Sequence, residues 1–207
     1  MRWADLLILN VDKEVLDFLV KNRFRVIGLV NSDLVPSDYR DKFLIIKRKI
    51  YDDIDRVYPS KDYLVGFVPR DKDSARRAGK INGVISIVFD EENIEFCTRE
   101  QITVMIRKNV FIEVLARSIL DDRYYPKFMK YATSCIRRAI LEGIDVILSS
   151  GARGVEELFS PGAFRVIERY ITNLRGSLTY SWYRVLEKWR SDLVRNIDSA
   201  KRTQETT

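Results

Sequence analysis

Residues 146–161 read VILSSGARGVEELFSP, a short apolar run that stops at Ser149, Ser150 and Gly151 before a helix-like segment begins. A strand that ends in small residues and turns into a helix can hold a phosphate on its backbone N–H groups. Arg153 would add a cation to such a cradle. The same residues also suit a tight strand-to-helix connection with a serine as cap, and the two alternatives stay open. SSGARG is neither a Walker loop nor a dinucleotide fingerprint, because no Lys-Ser/Thr pair and no GxGxxG follows.

Charges appear in two other unusual places. Glu113 lies mid-run in VFIEVL, and Lys47, Arg48 and Lys49 interrupt FLIIKRKI. A charge that faces a protein interior needs an opposite partner. If Arg48 and Glu113 both point into a barrel mouth they are expected to pair with each other, and a structural ion pair is favoured over a site for RNA or a ligand. Arg70, Arg76, Arg77 and Lys80 form a basic cluster, while Arg107, Lys108 and Arg117 flank VFIEVL. Such groups are either a solvated face or phosphate contacts that neutralise charge without reading sequence.

Composition removes much familiar chemistry. The 207 residues include no histidine. Ser-His-Asp triads, Cys-His dyads and histidine-ligated metals are therefore excluded. The two cysteines, Cys97 and Cys135, lie in apolar-patterned segments with no metal-binding spacing. They are expected to be free buried thiols of a reducing compartment. The net charge is +6, and residues 162–207 carry nine Lys/Arg against five Asp/Glu, hence +4 of it. This balance is compatible with a phosphate-rich partner. The apolar cluster Leu6–Leu9 is too short for a signal-peptide core and no run approaches transmembrane length, so no membrane association and a cytoplasmic location are expected.

These groups must be positioned by alternating elements. Strand-length apolar runs recur at Asp5–Leu9, Phe24–Val30, Phe43–Ile50, Tyr63–Val68, Gly83–Phe89, Val110–Leu115 and Val146–Leu148. Several lack polar alternation, as expected of parallel strands covered on both faces. Asp12 can cap a helix whose Val15, Leu16, Leu19 and Val20 share one face. Asp71 and Asp73 open another that ends near Gly79, and a long helix runs from about Tyr125 to Glu142, with Pro126 in its first turn and Gly143 after it. Ser160-Pro161 begins a helix reaching Thr172. Beyond Gly176, Ser177 or Thr179 can cap a last helix carrying Trp182, Tyr183, Leu186, Trp189, Leu193 and Ile197, which is expected to pack on the protein's own body. The pattern predicts an α/β protein, a TIM-barrel-like (β/α) barrel that is irregular or short of eight strands. One domain is expected over 1–198, followed by a flexible tail at 199–207.

The ordered series WADLLIL, VIGLVN, FLIIKRKI, DYLVGFVP, GVISIVFD, FIEVLARSI, YPKFMKYATSCIRRAILEG, VILSSGA and ELFSP resembles ribonuclease P protein component 3. That archaeal and eukaryal family has a barrel of the polymerase-and-histidinol-phosphatase (PHP) type. The resemblance spans roughly Trp3 to Ile167, and Arg48, Glu113, Ser149, Ser150 and Pro161 match family positions. Catalytic PHP proteins carry D-L-H-x-H in the first strand, where both histidines bind metal. Here Leu7 and Leu9 stand in those places, and aliphatic side chains cannot ligate a cation.

The resemblance implies a subunit of the ribonuclease P ribonucleoprotein, which removes the 5′ leader of precursor tRNA. Its RNA would perform Mg²⁺-assisted hydrolysis, and this chain would hold no catalytic residue, cofactor or metal. Implied partners are the ribonuclease P RNA, precursor tRNA indirectly, and protein component 2 in a heterotetramer of two copies of each. The candidate RNA or partner contacts are Arg48, Arg70, Arg76, Arg77, Lys80, Arg117, Ser149, Ser150 and Arg153. Phe159 stands where the family usually has arginine, and the segment after Gly176 departs from the family pattern. The alternative is a free-standing barrel that binds a small phosphorylated ligand at the Ser149–Arg153 loop.

Overall fold

The structure, a computed structural model, describes residues 3–172, 178 and 181–191. The tail at 199–207, the caps expected at Ser177 or Thr179, and Leu193 and Ile197 lie outside the described residues.

Seven strands follow one another around a single sheet in chain order, every neighbouring pair parallel. They are β1 (Trp3–Ile8), β2 (Phe24–Leu29), β3 (Leu44–Tyr51), β4 (Leu64–Phe67), β5 (Ile85–Phe89), β6 (Val110–Leu115) and β7 (Val146–Ser149). The helices are α1 (Lys13–Lys21), α2 (Ser37–Arg40), α3 (Lys72–Gly79), α4 (Arg99–Met105), α5 (Tyr125–Leu141), α6 (Pro161–Thr172) and α7 (Ser181–Trp189). The sheet curls until its last strand meets its first. Beyond β7, the Gly151 N–H donates to Leu7 O (2.9 Å), and the Leu9 N–H donates to Ala152 O (2.8 Å). Ile8 and Ala152 form a parallel bridge. The result is a nearly closed seven-stranded (β/α) barrel, an irregular relative of the TIM barrel, joined at the C-terminal ends of its strands. No eighth strand occurs among the described residues.

Local chemistry explains the helix limits. Asp12, in an extended conformation, accepts from the Val15 N–H at 2.9 Å and starts α1. Asp71 and Ser74 cap α3 reciprocally. After α5, the Gly143 N–H bonds to Ile140 O and the Ile144 N–H to Ala139 O, the paired bonds of a Schellman ending. Helix α4 is absent from the sequence reading. Its sequence, REQITVM, is short and buries only Gln101, Ile102 and Met105, too few positions to declare a period.

Inside the barrel the side chains form three layers. The lowest holds Leu6, Val26, Ile46, Leu64, Phe111 and Ile147, and against it pack Val185 and Leu186 of α7 with Trp182 and Trp189. The two tryptophans thus belong to a plug under the protein's own barrel. Each large apolar side chain so buried stabilises the fold by about 1.5–3 kcal/mol. The uppermost layer is also aliphatic, with Leu7, Val88 and Leu115 buried and Leu9, Val30, Ile50 and Val68 around them. Between them, two residues along each strand from either neighbour, lie Arg48, Gly66, Ser86, Glu113 and Ser149. The register of β1 slips between Asp5 and Ile8, which turns Leu6 and Leu7 toward different layers. This crossing needs Gly28, because a Cβ there would sit 1.9 Å from Leu6 O.

The outer face is covered unevenly. Helices α3, α4 and α5 enclose the far side of β4 to β7, and α1 with Phe164 of α6 covers β1 and β2. The connections on either side of β3 contain no helix longer than α2, and Lys47 and Lys49 are exposed on that strand.

Candidate functional site

The middle layer is a buried polar network around Arg48 and Glu113, in which Arg48 Nε is left without a partner. Arg48 Nη2 donates to Glu113 Oε2 at 2.6 Å and to Ser86 Oγ at 3.0 Å, while Nη1 reaches Glu113 Oε1 at 3.5 Å. Ser149 Oγ donates to the same Oε1 at 2.5 Å. Both charged side chains have 0% exposure. The structure therefore joins Arg48 and Glu113, and it places them below an aliphatic layer instead of in the mouth. Gly66 makes room for the guanidinium. A Cβ at that position would stand 2.9 Å from Ser86 Oγ and 3.2 Å from Arg48 Nη2. Arg48 and Ser149 were candidates for RNA contact, and the burial corrects that. Neither presents an atom to a large ligand.

The Ser149–Arg153 loop is engaged throughout. Four successive N–H groups have internal acceptors: Ser150 donates to Asp5 Oδ1 (3.0 Å), Gly151 to Leu7 O, Ala152 to Ser150 Oγ (3.1 Å) and Arg153 to Glu157 Oε2 (2.8 Å). A phosphate cradle needs such groups free. Ser150 is fully buried, so its candidacy as an RNA or partner contact is corrected as well. The loop closes the barrel, and only the Arg153 side chain remains exposed to solvent among its polar groups.

Asp5 holds this seam from the other strand. Its Oδ1 accepts from Ser150 and, at 3.4 Å, from Leu7, while its buried Oδ2 has no hydrogen-bond partner. Burial, partly opposed by the bonds from Ser150 and Leu7, pushes the carboxyl up to about 6. A carboxyl raised in the folded state stabilises the protein most below its unfolded value and loses that contribution as pH rises through 6. From the ordinary value of 3.8 the full loss amounts to about 3 kcal/mol, of which about 2 falls between pH 4 and 6. Asp5→Asn removes this slope. Urea unfolding of both proteins from pH 4 to 7 should show the variant gaining on the wild type as pH rises, and a pH-independent difference would contradict this role. Carboxyls such as the exposed Asp52 and Asp71 and the half-buried Asp121 are lowered by their own partners and cancel in the comparison.

Above the aliphatic layer stand groups that follow β5 and β6. Arg117 is 9% exposed, with Nη2 3.7 Å from Asp90 Oδ2 and Nε without a partner. Burial first, and Glu91 second, raise the Asp90 carboxyl above its ordinary range. Ser118 Oγ bonds Glu91. Among the described residues no three His, Cys, Asp or Glu side chains gather as a metal site.

The basic cluster is exposed but dispersed into ion pairs. Arg70 pairs with Asp52, Arg76 with Asp73 and Arg77 with Asp55, while Lys80 caps α3 and is exposed. The Arg70 guanidinium holds the Asp52 carboxyl below its ordinary range. Sequence reasoning gave no site role to Lys47 and Lys49 and passed over Tyr51, Arg56 and Tyr63, which gather with Lys49 on the outer face of β3. The available signal was the two-residue period, which sends Lys47 and Lys49 outward and Arg48 inward.

The cysteines correct another expectation. Cys97 and Cys135 form a disulfide with Cα atoms 5.7 Å apart. The turn before α4 lies against α5, a proximity that the spacing of 38 residues does not announce. No helix among the described residues is long and apolar enough to cross a membrane. No family model matches this chain, and no characterised protein does either.

Proposed function

We propose that this protein is a non-catalytic subunit of ribonuclease P, acting in the cytoplasm beside the RNA that cleaves precursor tRNA and beside protein component 2. The observation that carries the reading is the filled barrel mouth. Leu7 and Leu9, at the positions where a PHP hydrolase would hold metal ligands, belong to the aliphatic layer with Val88 and Leu115. A barrel of this kind keeps the scaffold and occupies the reaction space with hydrocarbon, leaving binding to its outer surface. The ordered motif series from WADLLIL to ELFSP and the net charge of +6 support an RNA partner. The Cys97–Cys135 bridge removes the free-thiol argument for a reducing compartment, so the cytoplasmic placement rests on the ribonuclease P reading alone.

Reconstitution tests the proposal. Ribonuclease P RNA, component 2 and this protein, mixed with Mg²⁺ and precursor tRNA, should cleave the 5′ leader faster than the mixture without it. Component 2 should co-elute with it at the mass of two copies of each. Cleavage and assembly indifferent to its presence would refute the role.

A further inference from the structure

We infer that the outer face of β3 is a docking surface for a single-stranded RNA segment, with phosphates on Lys47, Lys49 and Arg56 and bases against Tyr51 and Tyr63. Parallel strands in barrels are normally covered outside by helices. β5 follows that rule, with Ile85, Ile87 and Phe89 all buried, whereas β3 points Lys47 and Lys49 at solvent. The two lysines lie two residues apart on one face, hence about 6.6 Å along the strand.

Tyrosines complete the surface. The Lys49 ammonium lies 5.3 Å from the Tyr51 ring centre and 5.8 Å from that of Tyr63, and the Arg56 guanidinium lies 5.7 Å from Tyr51. No acid comes within ion-pair distance of Lys47, Lys49 or Arg56 among the described residues, whereas the nearby Asp52 and Asp55 are bound by Arg70 and Arg77. Cations outside any direct ion pair, with Arg56 still within electrostatic reach of Asp52, interleave with partly exposed rings, a match to a backbone of phosphates carrying flat bases. The platform is also held in place. Trp189 Nε1 donates to Ser60 O at 2.6 Å, and Ser60 Oγ accepts from the Tyr63 N–H. Little order is then lost on binding.

This inference narrows the RNA-binding part of the proposed function to one face, and its test separates the two. Fluorescein-labelled 20-nucleotide oligouridine is titrated with the full chain at several NaCl concentrations and followed by anisotropy. The double variant Lys47→Ala/Lys49→Ala should weaken binding by roughly tenfold or more and reduce the slope of log K against log salt by about 1.4. Tyr63→Ala should weaken binding about tenfold with the slope unchanged. Lys130→Ala, an exposed cation on α5 away from this face, should bind as wild type. The surface is wrong if wild type leaves oligouridine free, if the lysine variant binds like wild type, or if polyglutamate competes as well as unlabelled oligouridine, the mark of an acidic protein partner. If the lysine variant binds normally while precursor-tRNA cleavage still requires the protein, the surface fails and the ribonuclease P role survives. If the variant loses oligouridine while cleavage never needed the protein, the surface survives and that role fails.

Discussion

Replacing Glu113 by Ala should lower the unfolding free energy by about 3–5 kcal/mol, because it strands a guanidinium inside the barrel. Arg48 has 0% side-chain exposure, and its nearest alternative partner is the single hydroxyl of Ser86. Water cannot compensate it across the aliphatic layers above and below. Since domains of ordinary size are stable by only about 5–15 kcal/mol, this one change would consume a large share of the total. The companion variant distinguishes a lost attraction from an uncompensated charge. Arg48→Met combined with Glu113→Met should recover most of the loss, as replacing a whole buried pair by apolar groups is close to neutral. Ser149 would still lose its acceptor, so recovery falls short of complete. Urea unfolding of the single and double variants measures both effects. A single variant within 1 kcal/mol of wild type, or a double variant no better than the single, would contradict the network's role.

Removing the disulfide by Cys97→Ala/Cys135→Ala should cost about 4 kcal/mol, the loop-closure term for a separation of 38 residues. The bridge fastens the turn before α4 to α5, and Cys135 is itself part of the large outer core, so the substitution also removes a little packing. Two measurements check the expectation. Thiol titration of the denatured, unreduced protein should find no reactive sulfur, and reductant should shift the urea midpoint downward by an amount close to the double variant's. Two thiols per chain in the unreduced protein would restore the free-cysteine picture.

The contrast between Glu113 and Cys97 shows what a sequence can reveal here. Strand positions were legible, most boundaries moving by one or two residues, because β-branched runs such as ISIVF and VFIEVL tolerate few other structures. The Arg48–Glu113 partnership was legible too, since two charges within apolar runs have little else to meet. Their depth was not. Whether a residue sits in the mouth or one layer below depends on barrel stagger, which no local pattern records. The SSGARG loop illustrates a different limit. Its composition permits a phosphate site, but the N–H groups of Ser150 and Gly151 are engaged by Asp5 and Leu7, more than 140 residues away. The bare outer face of β3 left a trace in the alternation of Lys47, Arg48 and Lys49, which becomes meaningful only once the missing helix is known.

The seam also sets an order of events during synthesis. Asp5 and Ser150 are separated by 145 residues, so the first strand leaves the ribosome long before the partner that seals it exists. At about 5–20 residues per second, β1 spends on the order of ten seconds or more with one edge unpaired. The slip at Asp5–Ile8 makes that edge a poor template for a foreign strand while it waits. Closure is then a late, long-range step of high contact order, and a chain released before residue 150 would remain an open sheet.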